Sequence, residues 1–275
     1  MTTATTEAPP DTRRPKRPPP SPFAIGAIIG AVALTIATGA DWRYGIGFSL
    51  TEVLTDLTRP NAPMRGLVNI DLSILTNSRF LDAFAETVQM AVIGTICGSI
   101  VALPLALLNS HIGAPNRIVY GAVKLFNNVI RSFPELLWAL LFVAAVGIGA
   151  LPGILALFFF SIAVVTKLTS DTIDGIDPGP IEAARASGAG HWQMLRTAVV
   201  PQILPGYTSF AMYCFELNLR ASAVLGLVGA GGIGELLNFF RNQGAWPQVW
   251  GVVAGFVIIV IIVEQISMAV RRRLL

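Results

Sequence analysis

Four ionisable residues lie deep inside apolar sequence, and they are the side chains of this chain best placed to do chemistry. Arg131 and Glu135 stand four apart in RSFPELLWALLFV, and Glu216 and Arg220 stand four apart in FELNLRASAVLGLV. A carboxylate in such surroundings can serve as a general acid or base, can relay a proton across a membrane, or can balance an arginine that attracts anions. The companions of catalysis are missing. There are two histidines, His111 and His191, and neither has a metal-ligand partner nearby in sequence. Cys97 and Cys214 each sit alone in an apolar run and read as small buried hydrophobes. No G-x-x-x-x-G-K-[ST] occurs, so the chain carries no P-loop and no cofactor is expected on it. Gly229–Gly234 does satisfy G-x-G-x-x-G. That fingerprint needs a preceding strand in a βαβ unit, whereas here it follows an apolar run containing charges. It reads as a flexible loop or as closely packed helix ends. An intramembrane enzyme using Glu135 or Glu216 is therefore the weaker reading, and a polar path or gate is the stronger one.

The cost of burial sharpens this. A charge near a bilayer centre costs on the order of 2.5–3.5 kcal/mol on insertion scales. Left alone, four of them would together approach the stability of a whole domain. They must pair, face water, or both. The spacing predicts each pair on one helix face. If the two helices run in the same direction, Arg131 meets Glu216 and Glu135 meets Arg220 at matched depth, within one copy or between copies. Ser132 and Asn218 lie beside these charges and complete the candidate path: Arg131, Ser132, Glu135, Glu216, Asn218 and Arg220.

The elements that position these groups are membrane spans. The chain has 275 residues, 53% of them hydrophobic and only 13% charged. Soluble domains carry about 25% charged residues, so an all-α integral membrane protein is expected. Residues 1–21, rich in Thr and Pro with Arg13, Arg14, Lys16 and Arg17, read as a disordered tail. Pro22–Ala40 is a first span, preferred as an uncleaved anchor over a signal peptide because it is long and further spans follow. The mixed segment 41–82 suggests short amphipathic helices at an interface, with Leu50, Val53, Leu54 and Leu57 at helical spacing. Further spans are read at about 84–108, where Gly94, Gly98, Ser99 and Pro104 mark a packed helix, at 117–149 with an interruption near Arg131–Glu135, at 151–169, at 206–228 and at 250–268. A glycine-rich loop is expected over 229–249. About six spans place both termini and the 170–205 loop on one side. Lys and Arg concentrate there: twelve on that side (13, 14, 16, 17, 117, 124, 167, 185, 196, 271, 272, 273) against five opposite (43, 59, 65, 79, 241). This predicts cytoplasmic termini in the cytoplasmic membrane. The basic excess needs no nucleic acid to explain it.

Between the fourth and fifth spans lies IEAARASGAGHWQMLRTAVVPQILP, residues 181–205, polar and rich in small residues. Ala183, Ala184 and Ala186 favour helix without bulk. Gly188 permits the left-handed turn that ends one short helix and leads into the next. The order Glu-Ala-Ala, then Gly, then Ile-x-Pro resembles the cytoplasmic loop of ABC-importer permeases. Arg131-Ser132-x-Pro134-Glu135, Glu216-x-Asn218-x-Arg220 and the Gly-Ala-Gly-Gly-Ile-Gly run together are similar to the phosphonate/phosphate-type permeases over residues 84–268. The last of these is shared with methionine-type permeases.

The resemblance implies a type I ABC-importer permease fold in a single domain, residues 22–275, with a coupling loop over 178–205. It implies that Glu182, Ala183, Ala184, Gly188 and His191 dock an ATP-binding cassette ATPase, present in two copies. It implies an extracytoplasmic substrate-binding protein, a second copy of the chain as homodimer partner, and ATP and Mg held on the ATPase alone. The cargo is expected to be a phosphonate or phosphate-type oxyanion. Methionine or another small solute is the alternative, and a secondary transporter would leave Glu182–Pro205 without a role.

Overall fold

The computed structural model describes residues 21–39, 55 and 61–274. These fall into two units divided at Asn61. The first contributes α1 (Pro22–Gly39), which has a short apolar stretch at Ile25–Leu34. The expected helix around Leu50–Leu57 lies outside the described residues.

The second unit is a helical bundle. Its first elements are α2 (Ala62–Val68) and a 3-10 turn (Leu72–Thr76), both short. Asn77 then caps α3 (Ser78–Leu108), its Oδ1 accepting from the Arg79 amide at 2.9 Å. This cap starts the helix at Ser78, earlier than the apolar run alone suggests. α3 packs along α6 (Ala150–Ile173), and glycine makes the approach possible. A Cβ on Gly94 would stand 2.7 Å from the Leu157 Cβ, and one on Gly98 would stand 2.8 Å from the Phe158 carbonyl. Small residues that let backbones meet are the means by which membrane helices gain contact where lipid supplies no hydrophobic drive.

The segment 117–149 is two helices, α4 (Arg117–Ser132) and α5 (Glu135–Val146), bent by 85°. The break is local chemistry. Phe133 precedes proline and is extended at φ −94°, ψ 122°, and Pro134 supplies no amide to the ladder. Arg131 and Glu135 therefore do not share one helix face, which corrects the expectation from their spacing.

After α6 come α7 (Gly179–Ala186), α8 (His191–Met194), a π turn (Leu195–Val199) and α9 (Val200–Gly226). The chain stays helical through Pro201 and Pro205. The widened π turn ends just before Pro201, whose ring supplies no amide to the ladder. The stretch 229–249 is not simply a loop. It contains α10 (Gly232–Asn242), whose Ile233, Leu236, Leu237 and Phe240 pack with Ile74, Phe80 and Val252. Finally α11 (Trp246–Leu274) runs through Arg271, so the terminal arginines extend a helix beyond the apolar run that ends at Met268.

Among the described residues the structure is all-α. Three helices are long and apolar enough to cross a membrane, namely α3, α6 and α11, and the bent α4–α5 pair would be a fourth. A count of six also requires α1 and α9. α9 has the length at 27 residues, but Glu216, Asn218 and Arg220 interrupt its apolar sequence.

Candidate functional site

The helix break gathers one set of candidate residues. Arg131, Ser132 and Glu135 line a cavity of about 300 Å³ with Pro134, Trp138 and Phe160. Arg131 and Ser132 are exposed and Glu135 half-buried. The Ser132 hydroxyl donates back to the Asn128 carbonyl at 2.8 Å. The Trp138 Nε1 is buried without a hydrogen-bond partner. The amino end of α5 also opens here, contributing unbonded backbone amides. The site thus presents a guanidinium, an indole N–H and helix-end donors, offset by one carboxylate. These groups are of a kind that can donate hydrogen bonds to an acceptor-rich solute.

The second set lies elsewhere, and the expected pairing is corrected. Glu216 accepts from Arg271 Nη2 at 2.6 Å, and Arg220 donates through Nη2 to Glu264 at 3.1 Å. Both partners come from α11, which runs antiparallel to α9 and carries Glu264 and Arg271 two turns apart. No ion pair joins Arg131 to Glu216 or Glu135 to Arg220 among the described residues. The Glu216 side chain is 6% exposed and that of Arg271 24%, against 48% and 40% for Arg220 and Glu264. The first pair is buried and the second open.

Asn218 is fully buried and serves as a knot. Its Nδ2 donates at 2.7 Å to both Thr95 Oγ1 of α3 and Ser161 Oγ of α6. It joins three helices and does not line the cavity at Arg131. Thr95 and Ser161, like Arg271, Glu264 and Trp138, were not singled out from sequence. Only a serine, a threonine and an asparagine recurring at matched depth in different runs hinted at the network.

The stretch 181–205 has the turn at Gly188 that its spacing suggests. The Gly188 amide donates to the Arg185 carbonyl and the Ala189 amide to the Ala184 carbonyl, both at 3.0 Å, with Gly188 at φ +78°. That is a Schellman turn closing α7. Ile181 anchors the helix in a core with Ile173, Met194, Val199 and Ile203, while Glu182, Ala183 and Ala186 are exposed. The outward face is small and smooth, with Trp192 63% exposed beside it. His191 does not simply face outward, for its Nε2 is 2.9 Å from the Gly113 carbonyl. It ties the stretch to the α3–α4 connection.

Comparison with known proteins agrees with this architecture. Residues 94–274 match the family described as binding-protein-dependent transport system inner membrane component. The phosphate-import permease protein PhnE of Mycolicibacterium smegmatis is 41% identical over 190 residues, which are 69% of this chain and 36% of that protein. The phosphite transport system permease protein PtxC of Stutzerimonas stutzeri is 39% identical over 188 residues, 68% of each chain. The matched region thus spans little more than a third of the first relative and about two thirds of the second. Among solved structures, the MetNI methionine ABC transporter in an inward-facing conformation superposes with a TM-score of 0.62 at 26% identity, covering 71% of this chain and 96% of that one.

Proposed function

Since the chain belongs to the family of binding-protein-dependent transport system inner membrane components, we propose that it is the permease subunit of an ATP-driven importer for phosphonate- or phosphate-type oxyanions. It works as a homodimer in the cytoplasmic membrane, with both termini in the cytoplasm. Two ATPase subunits dock on α7, and an extracytoplasmic binding protein delivers the cargo. ATP binding and hydrolysis move α7 and switch the helices between outward and inward openings.

The observation that carries the oxyanion reading is the cavity at the α4–α5 break. Arg131, Trp138 and Glu135 at the amino end of α5 line one small space, and the Trp138 indole N–H has no partner within the protein. Glu135 balances Arg131, so the site offers donors with little net charge. Such a site fits passage rather than capture, because a path must release what it admits. The open Arg220–Glu264 pair supports a wetted or protein-covered face on α9 and α11, since lipid would penalise it heavily. The test is uptake into proteoliposomes containing the permease, its ATPase and its binding protein. ATP-dependent uptake of phosphate, phosphite or a phosphonate is expected. Uptake of methionine alone would favour the second reading, which the MetNI likeness supports.

Two further outcomes follow from this assignment. Gly188→Val is expected to abolish uptake while the protein stays in the membrane. Nothing lies within 4 Å of a Cβ at Gly188, so the penalty is the left-handed backbone itself, about 1–3 kcal/mol for a residue that resists it. Gly190→Ala, with equal space and φ −65°, is the control that should transport normally. Normal uptake by Gly188→Val would remove α7 from the coupling role.

Orientation is tested by cysteine labelling in a background lacking the exposed Cys97. Gly190→Cys and Leu274→Cys should react only from the cytoplasm, and Ala62→Cys only from outside. Labelling of positions 62 and 190 from the same side would sink the arrangement.

A further inference from the structure

Beyond the cavity at the helix break, a larger one opens where α6, α9 and α11 meet. It has a volume of about 790 Å³ and is lined by Leu168, Ser209, Phe210, Tyr213, Met268, Arg271 and Arg272. Three features of its walls are unexplained by the fold. Arg271 commits Nη2 to Glu216, yet its Nε is buried with no partner. Ser209 is 7% exposed and its Oγ has no partner either. A helical serine ordinarily bonds the carbonyl four residues back. Here the Ser209 hydroxyl makes no such bond, while the neighbouring Thr208 donates to the Leu204 and Pro205 carbonyls at 3.0 and 2.8 Å. Arg272 adds an exposed guanidinium at the mouth, with no ion pair among the described residues.

Buried polar groups without partners are costly and uncommon in folded proteins. Two of them at one cavity, beside a second arginine, describe a place for a ligand that accepts hydrogen bonds and carries negative charge. We propose that this cavity binds a phosphate-class oxyanion group, held by Arg271, Arg272 and Ser209 of its lining. Glu216 fixes the Arg271 guanidinium beside the cavity through the 2.6 Å bond to Nη2. The cavity is much larger than a tetrahedral anion, and Leu168, Phe210 and Met268 give the remainder an apolar wall. The bound group therefore carries an organic substituent or leaves that space to solvent. Two sources have this chemistry: a free oxyanion, or the headgroup of an acidic phospholipid.

The full chain purified in detergent tests this without any transport, so the outcome is separable from the importer assignment. Thermal melting is followed against inorganic phosphate and methylphosphonate at fixed ionic strength, with chloride as reference. It is followed again in nanodiscs of phosphatidylglycerol and of phosphatidylcholine. Stabilisation by the soluble anions assigns a free oxyanion, and stabilisation by phosphatidylglycerol alone assigns a headgroup. Arg272→Gln should weaken the effect about fivefold, as about 1 kcal/mol for one arginine facing an anionic surface implies. Ser209→Ala should weaken it as well, and it serves if Arg272→Gln does not fold. The proposal is overturned if neither anion source stabilises the chain beyond its reference, or if both variants respond as the wild type does.

Discussion

Glu216→Ala is expected to destabilise the folded protein by about 3–5 kcal/mol, the cost of stranding one member of a buried pair. The warrant is the geometry of the pair: 2.6 Å between Arg271 Nη2 and Glu216 Oε1, with side-chain exposures of 24% and 6%. With the carboxylate gone, the Arg271 guanidinium loses its partner in a place where its Nε already has none. Glu264→Ala breaks the more open Arg220–Glu264 pair and should cost less. Melting temperature in detergent and monodisperse yield both report the loss. The decisive measurement is a charge reversal. Glu216→Arg combined with Arg271→Glu should recover most of the stability, and a double-mutant cycle should show strong coupling. Glu216→Arg combined with Arg131→Glu should recover none. Zero coupling between positions 216 and 271, or rescue through position 131, would reject the observed partnership.

That correction shows what sequence can and cannot carry. That Glu216 lies within a long helix was legible, because it sits inside a run of largely apolar residues. So was the need for a counter-ion. Its identity was not, because pairing depends on which helices are neighbours, and hydropathy says nothing of neighbours. In the sequence Arg271 counts only among the cations of the cytoplasmic side, whereas α11 continues helically and brings it to Glu216 of α9. The break at Arg131–Glu135 was half legible. Phe133-Pro134 announces an interruption, yet spacing of four still suggested one face, and only the 85° bend separates the two charges. The coupling stretch was the most legible part, because a Schellman turn is made within a few consecutive residues and Gly188 is its signature. The close approach of α3 to α6 was foreshadowed by Gly94 and Gly98. The Asn218 knot was not, because its three members come from three separate runs.

The glycine run after α9 illustrates the same division, and it supports the other large expected effect. Gly226→Val should prevent accumulation of folded protein. A Cβ on Gly226 would collide with the Gly231 carbonyl and stand 2.7 Å from the Gly234 Cα and 2.9 Å from the Gly234 amide nitrogen. A Cβ on Gly234 would in turn collide with the Ala223 carbonyl and stand 2.7 Å from the Gly226 Cα. Every one of these neighbours is backbone, so no side chain can rotate away. Overpacking a core costs typically about 1–3 kcal/mol when side chains can adjust. Here they cannot, and valine adds two further methyl groups, so the loss should exceed that range. The run is thus a seam where the end of α9 meets the start of α10. Gly231 at φ +78° and Gly232 at φ +69° turn the chain between them. The G-x-G-x-x-G pattern thus falls at a helix-to-helix turn. Gly121→Ala is the matching control, since nothing lies within 4 Å of a Cβ there and the residue is mid-helix in α4. It should be neutral or stabilising by up to about 1 kcal/mol. Membrane-fraction yield and melting temperature compare the two variants directly. Wild-type yield and melting of Gly226→Val would show that α9 and α10 are not held together by this seam.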